Sequence, residues 1–327
     1  MAAEKPAGGI VIDQRLILLA FLVVINVFFA LMSPTFFALS NYFNVLRACA
    51  MIVITGTAAT LLMMTSNFDL STGSNIAFTS VVYALLAQNG LALLPAALVA
   101  MAGGTAFGFI NGGLVARFNI PPFIASLGMM YIGRGLAYVI SDGTTIVTNL
   151  PPAIFGLSQS TPLGVPSLAW FMLLFVAVFL VLQKKTLLGK YALAIGGNPN
   201  AAFFSGINTR RIVFVLYVFV GALAAFCGIL TASRFGAGDP RSGMGFEFDV
   251  ILAIILGGTS LKGGKGSVIG TLLGALVVTV LDNGLNMMNV LTFWQSIVKG
   301  IILVLAILSN EKLFARARAG ALPPARA

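Results

Sequence analysis

Histidine is absent from the 327 residues, cysteine occurs only twice, and charged side chains make up 9% of the chain. Without histidine there is no imidazole base and no ordinary His–metal site. Cys49 and Cys227 both lie inside apolar runs, so they read as small core residues and not as a disulfide scaffold. A soluble domain carries about 25% charged residues, so this chain has too few to cover a water-facing surface. A phosphate loop is missing too. In Gly263-Gly264-Lys265-Gly266-Ser267 the lysine is followed by glycine, and the spacing to an earlier glycine is wrong, so the segment reads as a basic, flexible turn. No paired carboxylates share one apolar run, and no nucleophile stands beside a base, which argues against an enzyme.

What is present is apolar mass, 59% of the chain, and a net charge of +10. The mean hydropathy is +1.02. A helix needs about 20 mostly apolar residues to cross a bilayer. Ten runs approach this: 16–32, 45–64, 72–88, 91–116, 120–140, 168–182, 212–233, 246–258, 267–288 and 292–309. The expected fold is therefore an all-α integral membrane protein with about ten transmembrane helices. The eighth run is short, and the count becomes eight if a glycine-rich pair is re-entrant. The first run is long and lacks a small-residue cleavage pattern, so it reads as a span.

Charge orients these spans. With the amino terminus inside, the cytoplasmic segments hold fourteen cations: Lys5, Arg15, Arg117, Lys184, Lys185, Lys190, Arg210, Arg211, Lys262, Lys265, Lys312, Arg316, Arg318 and Arg326. Four, Arg47, Arg134, Arg234 and Arg241, fall outside, and Lys299 lies within the tenth span. This bias puts both termini in the cytoplasm, with a tail over 1–15, a transmembrane domain over 16–309 and a basic, mobile tail over 310–327. The cations mark the inner face, so no nucleic-acid partner is expected.

Glycines four apart form a flat strip along which another helix can approach. Gly104, Gly108 and Gly112 make one on the fourth span, and Gly266, Gly270 and Gly274 make another on the ninth. These two spans run in opposite directions, as an inverted repeat of helices 2–5 and 7–10 would place them.

The largest inward loop, 184–211, contains Gly196-Gly197-Asn198-Pro199. Asn198 suits a cap and Pro199 a first helical turn, which predicts a short helix over 200–205 stopped by Gly206. Such a helix, with Ala201, Ala202, Phe203 and Phe204 on it, either docks on a partner or rests among lipid headgroups.

Single polar residues stand out against the apolar background. Asp69 precedes the third span and reads first as a helix cap, with Ser71 assisting, or else as a gating group. Arg134 falls toward the outer end of the fifth span, where it snorkels or pairs with Asp142. Asp282, Asn283 and Asn286 offer hydrogen bonds to a hydroxylated solute or to another helix. Asn111 interrupts the first glycine strip and Gln295 opens the last span. Asp239, Arg241, Glu247 and Asp249 flank a glycine-rich outer segment and form the best outer surface for docking a partner.

Several segments together resemble a known family. Asn67-Phe68-Asp69-Leu70-Ser71-Thr72-Gly73-Ser74 resembles the G-x-D-L-S-V-G-S segment of permeases from ribose-, xylose-, arabinose- and galactose-type ATP-binding-cassette (ABC) sugar importers. Ile120-Pro121-Pro122-Phe123 to Gly128, and Arg134-Gly135-Leu136-Ala137, resemble the next block of that family. Ile195-Gly196-Gly197-Asn198 with Ser205-Gly206-Ile207 is similar to its cytoplasmic coupling loop. Leu256-Gly257-Gly258-Thr259-Ser260-Leu261 and Asp282-Asn283-Gly284-Leu285-Asn286 are similar to its carboxy-terminal half. The match runs in order from about residue 16 to 309, with Ser66-Asn67 where glycines are usual.

The resemblance implies a permease subunit of an ATP-driven importer of a simple sugar or polyol, in a bacterial inner membrane. It implies a partner ATPase that holds ATP and Mg²⁺, a periplasmic sugar-binding protein, and a second permease copy, with no cofactor in this chain. It gives Gly196, Gly197, Asn198, Pro199, Ala201, Ser205 and Gly206 to coupling. It leaves Asn67, Asp69, Ser71, Asn111, Arg134, Asp282, Asn283 and Asn286 as pathway or gating candidates. A gradient-driven transporter is the alternative, weakened because no acidic cluster at membrane depth offers an ion relay.

Overall fold

The computed structural model describes the backbone of residues 14–321 and the side chains of residues 16–308. Most of the tail expected over 1–15, and the side chains of the basic tail expected over 310–327, lie outside these described residues. Every regular element among them is helical, because a chain in lipid must satisfy its backbone groups internally.

Five helices come first: α1 (Gln14–Met32), α2 (Leu39–Met64), α3 (Thr72–Gln88), α4 (Leu93–Ala116) and α5 (Pro122–Ile140). An irregular segment, 141–166, carries the one-turn helix α6 (Gly156–Gln159) between two 3-10 turns. Then follow α7 (Ser167–Lys185), α8 (Leu187–Gly197), α9 (Pro199–Phe204), α10 (Thr209–Phe235), α11 (Phe246–Leu256), α12 (Val268–Met287) and α13 (Thr292–Ala321). The backbone of 310–321 thus continues the last helix.

Six helices, α2, α4, α5, α7, α10 and α12, are long and apolar enough to cross a membrane. Shorter apolar stretches cover Leu16–Met32 and Thr292–Leu308. Two of the ten expected spans, the third and the eighth, fall in neither set: α3 has 17 residues, and α11 is shorter still. α11 has 11 residues, and at 1.5 Å per residue it is about 16 Å long, roughly half the hydrocarbon thickness. Irregular stretches, 236–245 and 257–267, flank it on either side.

Two central helices organise the bundle. α10 packs against α3 and α4, while α2 packs against α11 and α12, and α2 and α10 touch each other. α5 lies on α3 and α13 lies on α11. The main core comes from α2, α7, α10, α11 and α12, with Ile54, Leu61, Met64, Leu216 and Tyr217 fully buried. Large apolar side chains cover the outside of α1, α5 and α13, among them Val24, Leu31, Tyr131, Val139 and Leu305. Such an outer surface is that of a multi-pass membrane protein. Cys49 and Cys227 are free and fully buried.

The glycine strips lie where helices approach most closely. Gly104 faces Ala225 and Thr79, Gly108 lies on the backbone of Tyr217, and Gly112 meets Phe214, so the α4 strip is the seam with α10. On α12, Gly270 lies on the Gly257 backbone and Gly274 on the Ala253 carbonyl, forming the seam with α11. Gly266 is not part of this seam. It precedes Ser267, whose hydroxyl caps α12, and it packs on the Met64 side chain.

Candidate functional site

Three groups of polar and glycine residues stand out. The first lies at the basic end, where α2, α4 and α7 finish and α10 begins, near Arg117, Lys184, Lys185, Arg210 and Arg211. Here the end of α8 meets two turns. A Cβ at Gly196 would strike the Met64 carbonyl and the Gly264 amide, and the Gly264 N–H donates to that same Met64 oxygen at 2.9 Å. Ser66 Oγ donates to Lys262 O at 2.7 Å, and Gln183 Nε2 donates to Gly266 O at 2.9 Å. The Val268 N–H in turn donates to Gln183 Oε1 at 3.2 Å. The segment 263–266, expected to be a flexible turn, is therefore a tied-down joint. Its glycines serve close approach, with Gly263 and Gly264 in the left-handed region at φ 76° and 73°.

Beyond this joint α9 starts one residue earlier than expected, at Pro199, because Asn198 Oδ1 accepts the Ala201 N–H at 3.0 Å. Ser205 Oγ donates back to Ala201 O, and Gly206 ends the turn at φ 83°. Ala202 is buried, whereas Phe203 and Phe204 are 63% and 86% exposed. Gly197 has open space where a Cβ would stand.

The second group lies between α3 and α4. Asp69 is buried, and its Oδ1 accepts three hydrogen bonds: Ser71 N at 2.8 Å, Ser71 Oγ at 2.6 Å and Asn111 Nδ2 at 3.1 Å. Asn111 Nδ2 also donates to Ser71 Oγ at 3.0 Å. Asp69 thus folds an Asx turn ahead of α3 and ties it to α4, in place of the expected helix cap. The N-cap residue Ser71 makes no side-chain cap bond. Asn67 stays apart, donating to Thr65 O and Oγ1. Tyr217 OH, on α10, holds the same turn through Phe68 O at 3.0 Å. An asparagine at position 69 keeps an acceptor oxygen, so Asp69→Asn should melt close to the unaltered protein. Asp69→Ala leaves the Ser71 and Asn111 donors unpaired at about 1–3 kcal/mol each and should melt several degrees lower in detergent. Equal melting of both variants would refute the knot as a source of stability.

The third group surrounds a cavity of about 380 Å³ between α2, α3, α10, α11 and α12. Its apolar floor is Met51, Ile52 and Ile76; its polar lining includes Asn44, Thr231, Arg234, Asp249, Asp282, Asn283 and Asn286. Lys299 Nζ, from α13, donates to Asp249 Oδ1 at 2.8 Å and to Asp282 Oδ2 at 3.2 Å. Asp282 Oδ1 is buried and has no hydrogen-bond partner. Asn283 and Asn41 exchange amide hydrogen bonds at 2.8 and 3.0 Å, pinning α12 to α2. Asn286 Oδ1 accepts from Gln295 Nε2 at 2.9 Å. Sequence reasoning missed Lys299, Asp249 and Asn41 here. The available signal was a lone lysine inside an apolar run, which demands a counter-charge.

The segment before α11, expected on the outer face, also departs from expectation. Arg134 neither snorkels nor pairs with Asp142; its Nη1 donates to Pro240 O at 2.7 Å and to Ser242 O at 2.8 Å. Glu247 is buried against Gly73, and Asp249 is bound to Lys299. Neither belongs to an outer docking surface, and of that expected group Asp239 and Arg241 alone form an exposed pair, at 3.2 Å. Gly73 and Gly243 face each other so closely that a Cβ on either would meet the other's carbonyl. No group of histidine, cysteine, aspartate or glutamate among the described residues has the arrangement of a metal site.

Residues 41–307 match a family model described as the permease component of a branched-chain amino acid transport system. The ribose import permease protein RbsC of Escherichia coli K12 is 40% identical over 301 residues, covering 90% of this chain and 92% of that protein. A probable ABC transporter permease protein of the same organism, YphD, is 38% identical over 299 residues, covering 91% of this chain and 90% of its own. The L-arabinose ABC transporter permease protein AraH of Azospirillum brasilense is 33% identical over 314 residues, covering 95% and 92%. No solved structure matches the chain.

Proposed function

The chain belongs to the permease-component family of branched-chain amino acid type transport systems, and from that membership we propose that it is the membrane subunit of an ATP-driven importer of a simple sugar or related polyol. The similarity to the ribose permease along 90% of the chain carries the reading, and the arabinose permease extends it to a second pentose. Between the family's amino acid label and the sugars named for these relatives, the near full-length relatives weigh more for substrate class.

In this reading ATP and Mg²⁺ sit in a separate ATPase bound at the basic end. α9, with Phe203 and Phe204 exposed beyond the Gly196–Met64–Gly264 joint, receives its movement. A periplasmic sugar-binding protein delivers solute at the opposite end, and a second permease copy completes the pathway. Both termini are cytoplasmic, and ten segments enter an inner membrane, with α11 crossing it only in part. The packing of α10 on α3 and α4, against that of α2 on α11 and α12, supports an inverted repeat of α2–α5 and α10–α13.

Proteoliposomes holding the chain with its ATPase, supplied with the binding protein, should accumulate a neutral sugar only when ATP is present. Equilibration of that sugar by the chain alone, indifferent to ATP, would replace this reading with a gradient-driven facilitator.

A further inference from the structure

We propose that the cavity between α2, α10, α11 and α12 is a solute-binding chamber inside a single permease subunit, and that it takes an uncharged polyhydroxylated molecule of pentose size. The inference rests on the importer reading above and adds a location and a chemistry to it.

Position comes first. The cavity opens where α10 and α12 end, beside Arg234, Phe235 and Asn286, and it descends to Met51, Ile52 and Ile76. Its floor therefore lies near the level where α3 and α11 begin, marked by Gly243 and Phe246 in the wall. A volume of about 380 Å³ lies within the range of small-molecule sites.

The polar groups are of two kinds. Asn283 is spent on Asn41, so it shapes the wall and is not a contact for solute. Asp282 is different. Lys299 holds one of its oxygens, fixing the carboxylate in place, while the other is buried without a partner. A buried acceptor left unpaired is costly unless something donates to it, and a solute hydroxyl supplies that proton. Asn286 gives its oxygen to Gln295 and keeps its amide N–H groups for another acceptor. Arg234 adds a guanidinium at the mouth. Acceptor and donors in one lining, Asp282 and Asn286 on α12 with Arg234 on α10, suit hydroxyl groups, each of which does both. A carboxylate on the solute would instead face Asp282. The lining's own charges, Asp249, Asp282 and Arg234 with Lys299 behind them, sum to zero.

The test uses the complete transporter in cells and single cysteines read from outside. The native Cys49 and Cys227 are fully buried and give little background. Ala48→Cys, in the cavity wall but not a solute contact, should react with a membrane-impermeant thiol reagent, and the rate should fall at least five-fold in the presence of the sugar imported, drawn from D-ribose, L-arabinose, D-xylose and ribitol. Leu163→Cys, on a loop residue 89% exposed, should react at a rate the sugar does not change. Asp282→Asn should raise the KM for uptake at least ten-fold, read at a temperature where the variant stays folded. Uptake with Ala48→Cys labelled at the same rate in sugar, and Asp282→Asn keeping its KM, would overturn the chamber while leaving the importer reading standing. Failure of the unaltered system to import any of the four would overturn both.

Discussion

Gly196→Ala should abolish most transport, while Gly197→Ala, one residue on, should leave it intact. Local propensity predicts the reverse sign for the first, since alanine is favoured over glycine inside a helix by up to about 1 kcal/mol. The contact decides instead. A methyl group on Gly196 would stand against the Met64 carbonyl and the Gly264 amide, and it must displace the hydrogen bond between them. Overpacking of this kind costs about 1–3 kcal/mol, and the lost backbone bond adds about 1 kcal/mol. The same displacement moves α8 and α9 away from the turns that lead into α3 and α12. Uptake should therefore fall at least ten-fold, with ATP hydrolysis less dependent on solute. A Cβ on Gly197 meets nothing within 4 Å, so its variant should fold and transport as before. Paired uptake and hydrolysis assays on the reconstituted transporter decide the matter, and wild-type coupling in Gly196→Ala would refute the joint.

Lys299→Met should be the most destabilising single change at the end of the bundle where α10 and α12 finish. It keeps the length and apolar stem of the side chain but removes the cation shared by Asp249 and Asp282, which lie 2.8 and 3.2 Å from it. Two carboxylates would then face each other between helices. Breaking a buried ion pair from one side costs about 3–5 kcal/mol. These side chains are 20–24% exposed, which places the expected loss near the lower bound. Restoring neutrality should recover it: the triple variant Lys299→Met, Asp249→Asn, Asp282→Asn should regain most of the melting temperature. Thermal unfolding in detergent measures both, and a triple variant as unstable as the single one would show that the lysine acts through packing instead.

The helices were largely legible in the sequence, and their partners were not. α3 covers Thr72–Gln88, the bounds expected, because polar breakers flank an apolar run on both sides. Asn198-Pro199 announced the start of α9 because a cap and a first-turn proline act within four residues. Periodicity tells which face of a helix is apolar, but not which neighbour it meets. So Asp69, Ser71 and Asn111 were each noticed while their union, across 42 positions, was not. The same holds for Asn41 with Asn283 and for Lys299 with Asp249, 242 and 50 positions apart. Glycine misled in a different way. At 263–266 its abundance read as looseness, although the structure uses it for backbone contact with Met64 and Gly196.

Arg134 gives the segment between α10 and α11 a property of its own. Backbone carbonyls that leave regular structure near a bilayer ordinarily depend on water, and Pro240 and Ser242 here receive a guanidinium in its place. Gly238 exchanges both of its backbone hydrogen bonds with Ile146, and the Asp239 side chain takes the Arg241 amide. The stretch leading into α11 thus carries its own solvation shell, built from protein. Its conformation is therefore held by protein contacts and does not depend on how far water enters the cavity that Gly243 helps to line.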